Sequence, residues 1–282
     1  MYNNKETNNG SNKRTTEKGS LPGFLGNEGK SKEVSRVFTS ILAGGCNTRD
    51  EGQRTIQARG LYDSIEVLAK RENIWYENFE NVAFQKIGSG HENTVYLSKD
   101  GKNVIKFNNL IYAYDSESLI KFIERINSHN EFSTEAPYTV HGFAKNKEGR
   151  IGLVMSQPYI KGAMEADSYT IESYLKKQGF RYENLSVENK KGWTNGTFEF
   201  SDAVPRNVLM DVQGNLYFID LQINNPARLS RYLSEFSEYN ENRAVEIIKA
   251  RIEDSCAKSF TPEQYQILND FVADKKHPRR AE

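Results

Sequence analysis

Short apolar runs separated by polar turns fill the middle of the chain. Each run is rich in β-branched or aromatic residues and is bounded by Gly, Asn, Asp or Lys, a pattern typical of antiparallel strands. The predicted strands cover residues 84–87, 94–97, 104–107, 138–143 and 151–155. We therefore expect a small β-rich region between residues 81 and 155.

Helical periodicity occurs before, within and after this region. Apolar residues recur at helical spacing between residues 34 and 77, and glycines at 44, 45 and 60 break them into a few short helices. Residues 115–126 place four apolar side chains on one face of a helix that Asp115 or Ser116 can cap. Further helices are predicted from Thr170 to just before Gly179, from Leu229 to Cys256 with a break near Asn240, and from Thr261 onward.

Three polar residues in the run SDAVPRNVLMDVQGNLYFID carry the strongest chemical signal. Asp202 and Asn207 lie on a predicted loop, and Asp220 ends the apolar run 216–219. Residues 211–214 form a tight turn between two short strands, which brings Asp220 back beside the loop. Oxygen ligands of this kind can hold Mg²⁺ and orient a hydroxyl for attack on a phosphate.

The first predicted strands supply features suited to a bound phosphate. Gly88 and Gly90 remove side chains from a turn where backbone can approach phosphate oxygens closely. Lys106 lies inside an apolar strand, where an unpaired ammonium is costly. A phosphate and a carboxylate are therefore its natural partners.

Composition narrows the remaining possibilities. Residues 1–33 are mostly small or polar, too polar to bury a core, so we expect a disordered tail. The 38 basic and 38 acidic residues cancel, which argues against nucleic acid as the main partner. The 2 distant cysteines, the polar N-terminus and the lack of a long apolar stretch indicate a cytoplasmic protein without a membrane span. The pair Lys190-Lys191 is interpreted as part of a solvated loop.

Several strings, in their order and spacing, resemble the kinase-like fold: IGSGHENTVYLSKDGKNVIK, RINSHNEF, VMSQPYI, DAVPRNVL and NLYFID. More closely, they resemble the serine/threonine/tyrosine kinase domain of polyvalent proteins from phages and conjugative elements. The resemblance covers the last two thirds of the chain. It implies an α+β, bilobal protein-kinase-like fold, with a small antiparallel β lobe and a helical large lobe. The implied boundaries are a helical N-terminal extension at 34–80, a small lobe at 81–155 and a large lobe at 159–282.

The resemblance also implies roles for the three polar residues, with ATP and Mg²⁺ as cofactors. Asp202 would accept the proton of the acceptor hydroxyl or orient that hydroxyl, while Asn207 and Asp220 would hold Mg²⁺. Lys106 would neutralise phosphate oxygens. The residues expected around the nucleotide are Gly88, Ser89, Gly90, Val95, Lys106, Met155 and Gln157, with Ser156–Ile160 as an interlobe linker whose backbone would bind the adenine.

A Glu on the helix that follows Lys106 would hold the lysine in place. Glu124 is the preferred candidate, and Glu117 and Glu131 are alternatives. A solvent-exposed helix charge is the competing interpretation of Glu124.

Departures from the protein-kinase pattern leave the acceptor open. The usual His and Arg before Asp202 are absent, as is the usual Phe-Gly after Asp220, and Asn93 replaces the third glycine of the turn. The acceptor can therefore be a protein or a small-molecule hydroxyl. Retention of the charged site residues favours an active phosphotransferase over a pseudokinase scaffold, and transfer of AMP by the same fold is a further alternative.

Overall fold

The structure of the chain is a computed structural model that describes residues 30–43, 64–77, 79, 83–239 and 242. Almost all of these residues belong to one compact unit, Pro22–Asn240. They form a mixed α+β fold, as the sequence predicts. Among them, no helix is long and apolar enough to cross a membrane. Most of the predicted tail and the predicted helix starting at Thr261 lie outside the described residues.

The largest sheet has six strands in the order β1-β5-β6-β4-β3-β2. All neighbouring strands are antiparallel except β1 and β5. The strands are β1 (Trp75–Tyr76), β2 (Ala83–Ser89), β3 (Asn93–Ser98), β4 (Asn103–Asn108), β5 (Thr139–Lys145) and β6 (Ile151–Pro158). The five predicted strands are therefore present, each with slightly different bounds.

Strand β6 is longer than predicted, and this corrects the expected linker. Ser156 and Gln157 are paired within the sheet, opposite Thr139 and Val104. The strand ends only at Pro158, whose ring nitrogen has no hydrogen to donate to a further ladder bond.

The N-terminal extension packs against the end of this sheet that β1 and β5 form. Helix α1 (Ser31–Ala43) lies on β5, where the Phe38 and Phe143 rings meet edge to face at 5.4 Å. Helix α2 covers residues 64–71 and leads into β1. A Cβ at Gly142 would lie 2.1 Å from the carbonyl oxygen of Ile74, so only glycine allows β1 to approach β5 this closely.

Helix α3 (Ser116–Phe132) connects β4 to β5 and extends beyond the predicted residue 126. Asp115 caps it: the Asp115 carboxylate accepts from the Ser118 backbone at 2.7 Å, and the Ser118 hydroxyl accepts from the Asp115 backbone at 2.9 Å. At its other end, the Phe132 ring contacts a second aromatic core, including Phe200 at 5.4 Å and Phe218 at 5.2 Å. The same helix therefore contributes to the sheet region and to the residues that follow.

Residues 159–239 contain more β structure than predicted. Helix α4 (Ser168–Lys177) and helix α5, over residues 226–239, are accompanied by seven short strands, so the prediction of a helical region is incomplete. The strands form a sheet in the order β13-β10-β9-β8 and another in the order β12-β11-β7. Their bounds are β7 (Met164–Glu165), β8 (Arg181–Asn184), β9 (Lys191–Thr194), β10 (Glu199–Phe200), β11 (Val208–Met210), β12 (Leu216–Phe218) and β13 (Ile223–Asn224).

The solvated loop expected around Lys190-Lys191 is confirmed only in part: both lysines are exposed and Lys190 lies in a bend, but a strand follows it at once. Lys191 begins β9, and Gly192, Trp193 and Thr194 behind it are buried. A Cβ at Gly192 would lie 2.6 Å from the carbonyl oxygen of Phe200, so glycine permits the close pairing of β9 with its neighbours. The buried side chains, rather than the two lysines, decide where this segment lies.

Candidate functional site

A cleft of about 730 Å³ is bordered by the glycine-rich turn, α3 and the segments around Asp202 and Asp220. This volume is in the range of small-molecule binding sites. The cleft walls include Gly88, Ser89, Gly90, Glu92, Asn93, Val95, Arg125, Tyr138, Met155, Glu165, Asp202, Arg206, Asn207, Ile219, Asp220 and Gln222.

The glycine-rich turn joins β2 to β3 and covers one side of the cleft. The Gly90 backbone N–H donates to the Asn93 carbonyl at 2.7 Å, which closes the turn. A Cβ at Gly88 or Gly90 would meet no atom of the described residues nearer than 3.9 Å, and neither residue has a positive φ. Gly88 follows an irregularity in the register of β2 with β3, and both glycines leave space beside the turn for close approach to the backbone.

Lys106 projects from β4 and is only 3% exposed. It does not itself line the cleft, in contrast to the prediction, but lies directly beside Asp220, which does. Its Nζ donates to the Ile219 carbonyl at 2.6 Å and to the Tyr138 hydroxyl at 3.3 Å, and lies 3.6 Å from Asp220 Oδ1. Burial lowers the pKa of Lys106, and the Asp220 carboxylate opposes that effect. Asp220 is therefore the carboxylate partner that the sequence requires for this lysine.

Asp220 follows β12 and remains accessible from the cleft, with 45% of its side chain exposed. The carboxylate accepts from the Tyr138 hydroxyl at 3.3 Å and from the Asn93 amide at 3.5 Å. These donors hold one oxygen, Oδ1, beside Lys106. The exposure of the group leaves room for a further ligand.

Asp202 and Asn207 are held together by the 3-10 turn Pro205–Asn207. The Asn207 amide donates to the Asp202 carbonyl at 2.9 Å and to its Oδ2 at 3.2 Å, while the Gln222 backbone N–H donates to Oδ1 at 2.7 Å. Burial raises the pKa of Asp202 to about 6. The Ile219 N–H also donates to the Asn207 carbonyl at 2.9 Å, which ties the strand before Asp220 to this turn.

The donor set fits Mg²⁺ bound together with phosphates. Among the described residues, no three His, Cys, Asp or Glu side chains converge on one point, so an all-protein metal cage is not present there. Mg²⁺ is usually held by one or two carboxylates, with phosphate oxygens and water completing its shell. Asp220 offers such a carboxylate, and the Asn207 amide nitrogen faces Asp202, which leaves the amide oxygen available for a cation.

The expected pairing of Glu124 with Lys106 is wrong. Glu124 is completely buried on a different face of α3, where its Oε1 accepts from the Ser128 hydroxyl, the Asn225 N–H at 3.0 Å and Arg228 Nε at 3.2 Å. Glu124 is also not the exposed helix charge of the competing interpretation. The reason is helical register: the position facing the cleft is that of the next residue, Arg125, about 100° further around the helix.

The two alternative glutamates are also engaged elsewhere. Glu117 pairs with Lys121 at 2.6 Å on the exposed face of α3. Glu131 accepts from Arg228, one turn or more away from the cleft. Helix α3 therefore supplies a cation, Arg125, at the cleft, and not the carboxylate that the kinase resemblance implies.

Sequence reasoning missed three side chains that shape the cleft. Arg125 forms a two-point ion pair with Glu92, at 2.6 Å and 3.3 Å, and the Tyr138 hydroxyl lies between Lys106 and Asp220. Arg125 lies between buried helix positions, and an arginine there needs an anionic partner, which is the signal that could have revealed it. Tyr138 precedes β5 and carries no comparable signal in the sequence.

Some of the residues predicted around the nucleotide line the cleft, and others do not. Val95 and Met155 line the cleft together with the glycine-rich turn. Gln157 does not: it is 1% exposed, and its amide nitrogen donates to the Ala136 carbonyl at 2.6 Å and lies 3.0 Å from His129 Nε2. Gln157 therefore connects β6 to the end of α3 and the segment after it, because the strand continues through this position.

Comparison with known families agrees with the sequence resemblance. Residues 62–225, more than half of the chain, match the family described as the serine/threonine/tyrosine kinase found in polyvalent proteins. The chain belongs to this family. A search of curated proteins gave no match. The match spans the six-stranded sheet, α3, and the segments carrying Asp202, Asn207 and Asp220, and it supports a kinase-like function.

Proposed function

We propose that this chain is an ATP- and Mg²⁺-dependent phosphotransferase, with a bilobal kinase-like fold, that moves the γ-phosphoryl group of ATP to a hydroxyl. The observation that carries the proposal is a cleft beneath a glycine-rich turn that is lined by Asp202, Asn207 and Asp220, with the buried Lys106 Nζ 3.6 Å from Asp220 Oδ1. The family match supports the same chemistry. A nucleotide-binding scaffold would not need this set of charged groups.

Phosphoryl transfer depends mainly on positioning and charge neutralisation. Bound Mg²⁺, held by Asp220 and Asn207, would neutralise charge on the phosphate oxygens. Lys106 would donate to the same oxygens in a nearly dry environment, where a charged hydrogen bond is strong. Gly88 and Gly90 would allow backbone N–H groups to approach the phosphates.

Asp202 would act on the acceptor. Its carboxylate, with a pKa of about 6, is mostly ionised at pH 7 and still basic enough to accept a proton. The acceptor oxygen would form a bond to the γ-phosphorus, its proton would pass to Asp202, and the bond from that phosphorus to the oxygen of ADP would break. The Gln222 and Asn207 donors would hold the carboxylate in place during this step.

The direct test uses ATP labelled at the γ- or the α-phosphate, with Mg²⁺ and a mixture of generic acceptor proteins and small polyols. Transfer is followed by intact mass and by label in the products, for the wild-type chain and for Asp202→Ala. We expect γ-label transfer by the wild type that Asp202→Ala loses. Transfer of α-label would indicate AMP transfer, and ATP binding without transfer or hydrolysis would indicate a pseudokinase scaffold.

A further inference from the structure

The ion pair between Glu92 and Arg125 joins the glycine-rich turn to α3 at the edge of the cleft. Two guanidinium nitrogens reach the two carboxylate oxygens, at 2.6 Å and 3.3 Å. The two side chains are only 20% and 14% exposed. A paired and largely desolvated guanidinium of this kind holds a defined orientation, unlike a surface lysine.

Glu92 is the anchored member of the pair. Its backbone carbonyl accepts from the Asn109 N–H at 2.9 Å, and the neighbouring His91 carbonyl accepts from the Asn109 side chain at 2.8 Å. This side of the turn is therefore fixed to the end of β4, whereas Gly88 and Gly90 form its open side. A fixed carboxylate can orient the arginine that it binds.

The guanidinium has more donors than Glu92 uses. Arginine carries five N–H groups, and two of its nitrogens serve the carboxylate, so further donors are available to the cleft that Arg125 lines. The carboxylates of Glu92, Glu165, Asp202 and Asp220 also border this space, as does the exposed side chain of Arg206. A polyphosphate entering it needs cations in addition to Lys106 to offset these charges.

We propose that Arg125 is a second phosphate-binding cation of the cleft and that Glu92 is the positioning residue that orients it. The inference rests on the proposed function, because it assigns these residues to the nucleotide of that reaction. It gives α3 a direct role in binding phosphate, with a cation at the position where the sequence resemblance implies a carboxylate for Lys106.

Calorimetric titration of adenosine, ADP and ATP separates a phosphate contact from a structural role. The variant is Arg125→Met, and Lys121→Met is the matched control, since it removes an exposed cation from the same helix. We expect Arg125→Met to weaken ATP binding by about 10- to 100-fold, the scale of a charged hydrogen bond, with little change for adenosine. Lys121→Met should bind all three ligands like the wild type.

Glu92 is tested through its coupling to Arg125. Glu92→Gln should change the affinity for ATP in the wild-type background and should have almost no effect in the Arg125→Met background, because it acts through that arginine. An equal effect in both backgrounds would overturn the positioning role. If Arg125→Met does not fold, Arg125→Lys replaces it. The ratio of ATP affinity to adenosine affinity should then fall several-fold, because the lysine ammonium lacks the planar set of donors that the guanidinium offers to a phosphate.

Two outcomes overturn the inference in distinguishable ways. If the wild type binds ATP and the arginine variants lose adenosine and ATP affinity equally, or lose neither, Arg125 does not bind phosphate and the proposed function stands. If the wild type binds no ATP with or without Mg²⁺, the proposed function and the inference both fail.

Discussion

Arg228 at the start of α5 is expected to be a major stabilising residue, because it compensates a buried charge. Its Nε donates to Glu124 Oε1 at 3.2 Å and its Nη2 to the Ser128 hydroxyl at 2.8 Å. Glu124 is completely buried, and its other oxygen, Oε2, has no hydrogen-bond partner among the described residues. Within the described part of the chain, Arg228→Met would leave this carboxylate with only the Ser128 and Asn225 donors.

Breaking a buried ion pair by removing one partner costs about 3–5 kcal/mol. Since two neutral donors remain on Glu124, we expect the lower end, about 3 kcal/mol. The second ion pair of Arg228, with the half-exposed Glu131, adds no more than about 1 kcal/mol to this loss of stability. At a typical urea dependence of about 2 kcal/mol per M, the unfolding midpoint should fall by about 1.5–2 M.

The assay is urea unfolding of the full chain, followed by circular dichroism and by tryptophan fluorescence. Arg231→Met is the control, because Arg231 lies on the same helix but is 62% exposed. Its ion pair with Glu235 is long, at 3.9 Å, and therefore weak. The control should lose no more than about 1 kcal/mol. Adding Glu124→Gln to Arg228→Met should restore about 1 kcal/mol or more, since a neutral amide needs no counter-charge.

The pH dependence gives an independent signature. Burial raises the pKa of Glu124 above its usual 4.5, so the native state binds more protons than the unfolded state between those two values. Stability in Arg228→Met should therefore recover as the pH falls through the raised native pKa toward 4.5. A loss equal to that of Arg231→Met, at every pH, would refute the reasoning.

Three further predictions address burial, the turn and the catalytic groups. Burial lowers the pKa of His129 from 6.5 to about 4, so between pH 6.5 and about 4 the unfolded state binds a proton that the native state does not. The free energy of unfolding should therefore fall by about 3 kcal/mol as the pH drops through this range. His129→Gln should make the stability measured by urea unfolding less dependent on pH. Gly88→Ala should keep its melting temperature yet bind ATP more weakly, whereas Gly152→Ala, whose Cβ would lie 2.4 Å from a backbone oxygen, should melt lower. Asp202→Ala should retain Mg²⁺-ATP binding in calorimetry and lose about 100-fold or more in turnover. Asp220→Ala should lose both Mg²⁺-ATP binding and turnover. Full activity in Asp202→Ala would exclude Asp202 as the proton acceptor.

Local pattern determined much of the secondary structure. Lys106 lies within one of the predicted strands because its neighbours are β-branched and aromatic, and Asp115 caps α3 as its position before an apolar helical face predicts. The tight turn at 211–214 joins two short strands as predicted, which brings Asp220 near Asp202 and Asn207. These features depend on residues close together in sequence, where propensity and spacing carry the information.

The strands of the second half were beyond such reasoning. Strands β8, β9, β10 and β13 have two to four residues each, too short for a period-two pattern to stand out. Neighbouring strands in the chain pair locally, as Glu199 does with Thr194, but β10 also pairs with the more distant β13, where Glu199 lies opposite Asn224, and local pattern does not predict that pairing.

Charge partners were decided by the tertiary structure alone. The sequence shows that Lys106 needs an anion and that α3 carries glutamates, but helical register and the position of α5 decide which charge meets which. Arg125 faces the cleft and Glu92, while Glu124, one residue earlier, faces Arg228 from a segment about a hundred residues away. A rotation of 100° per residue separates these environments, and only the packing of α3 against its neighbours sets that rotation.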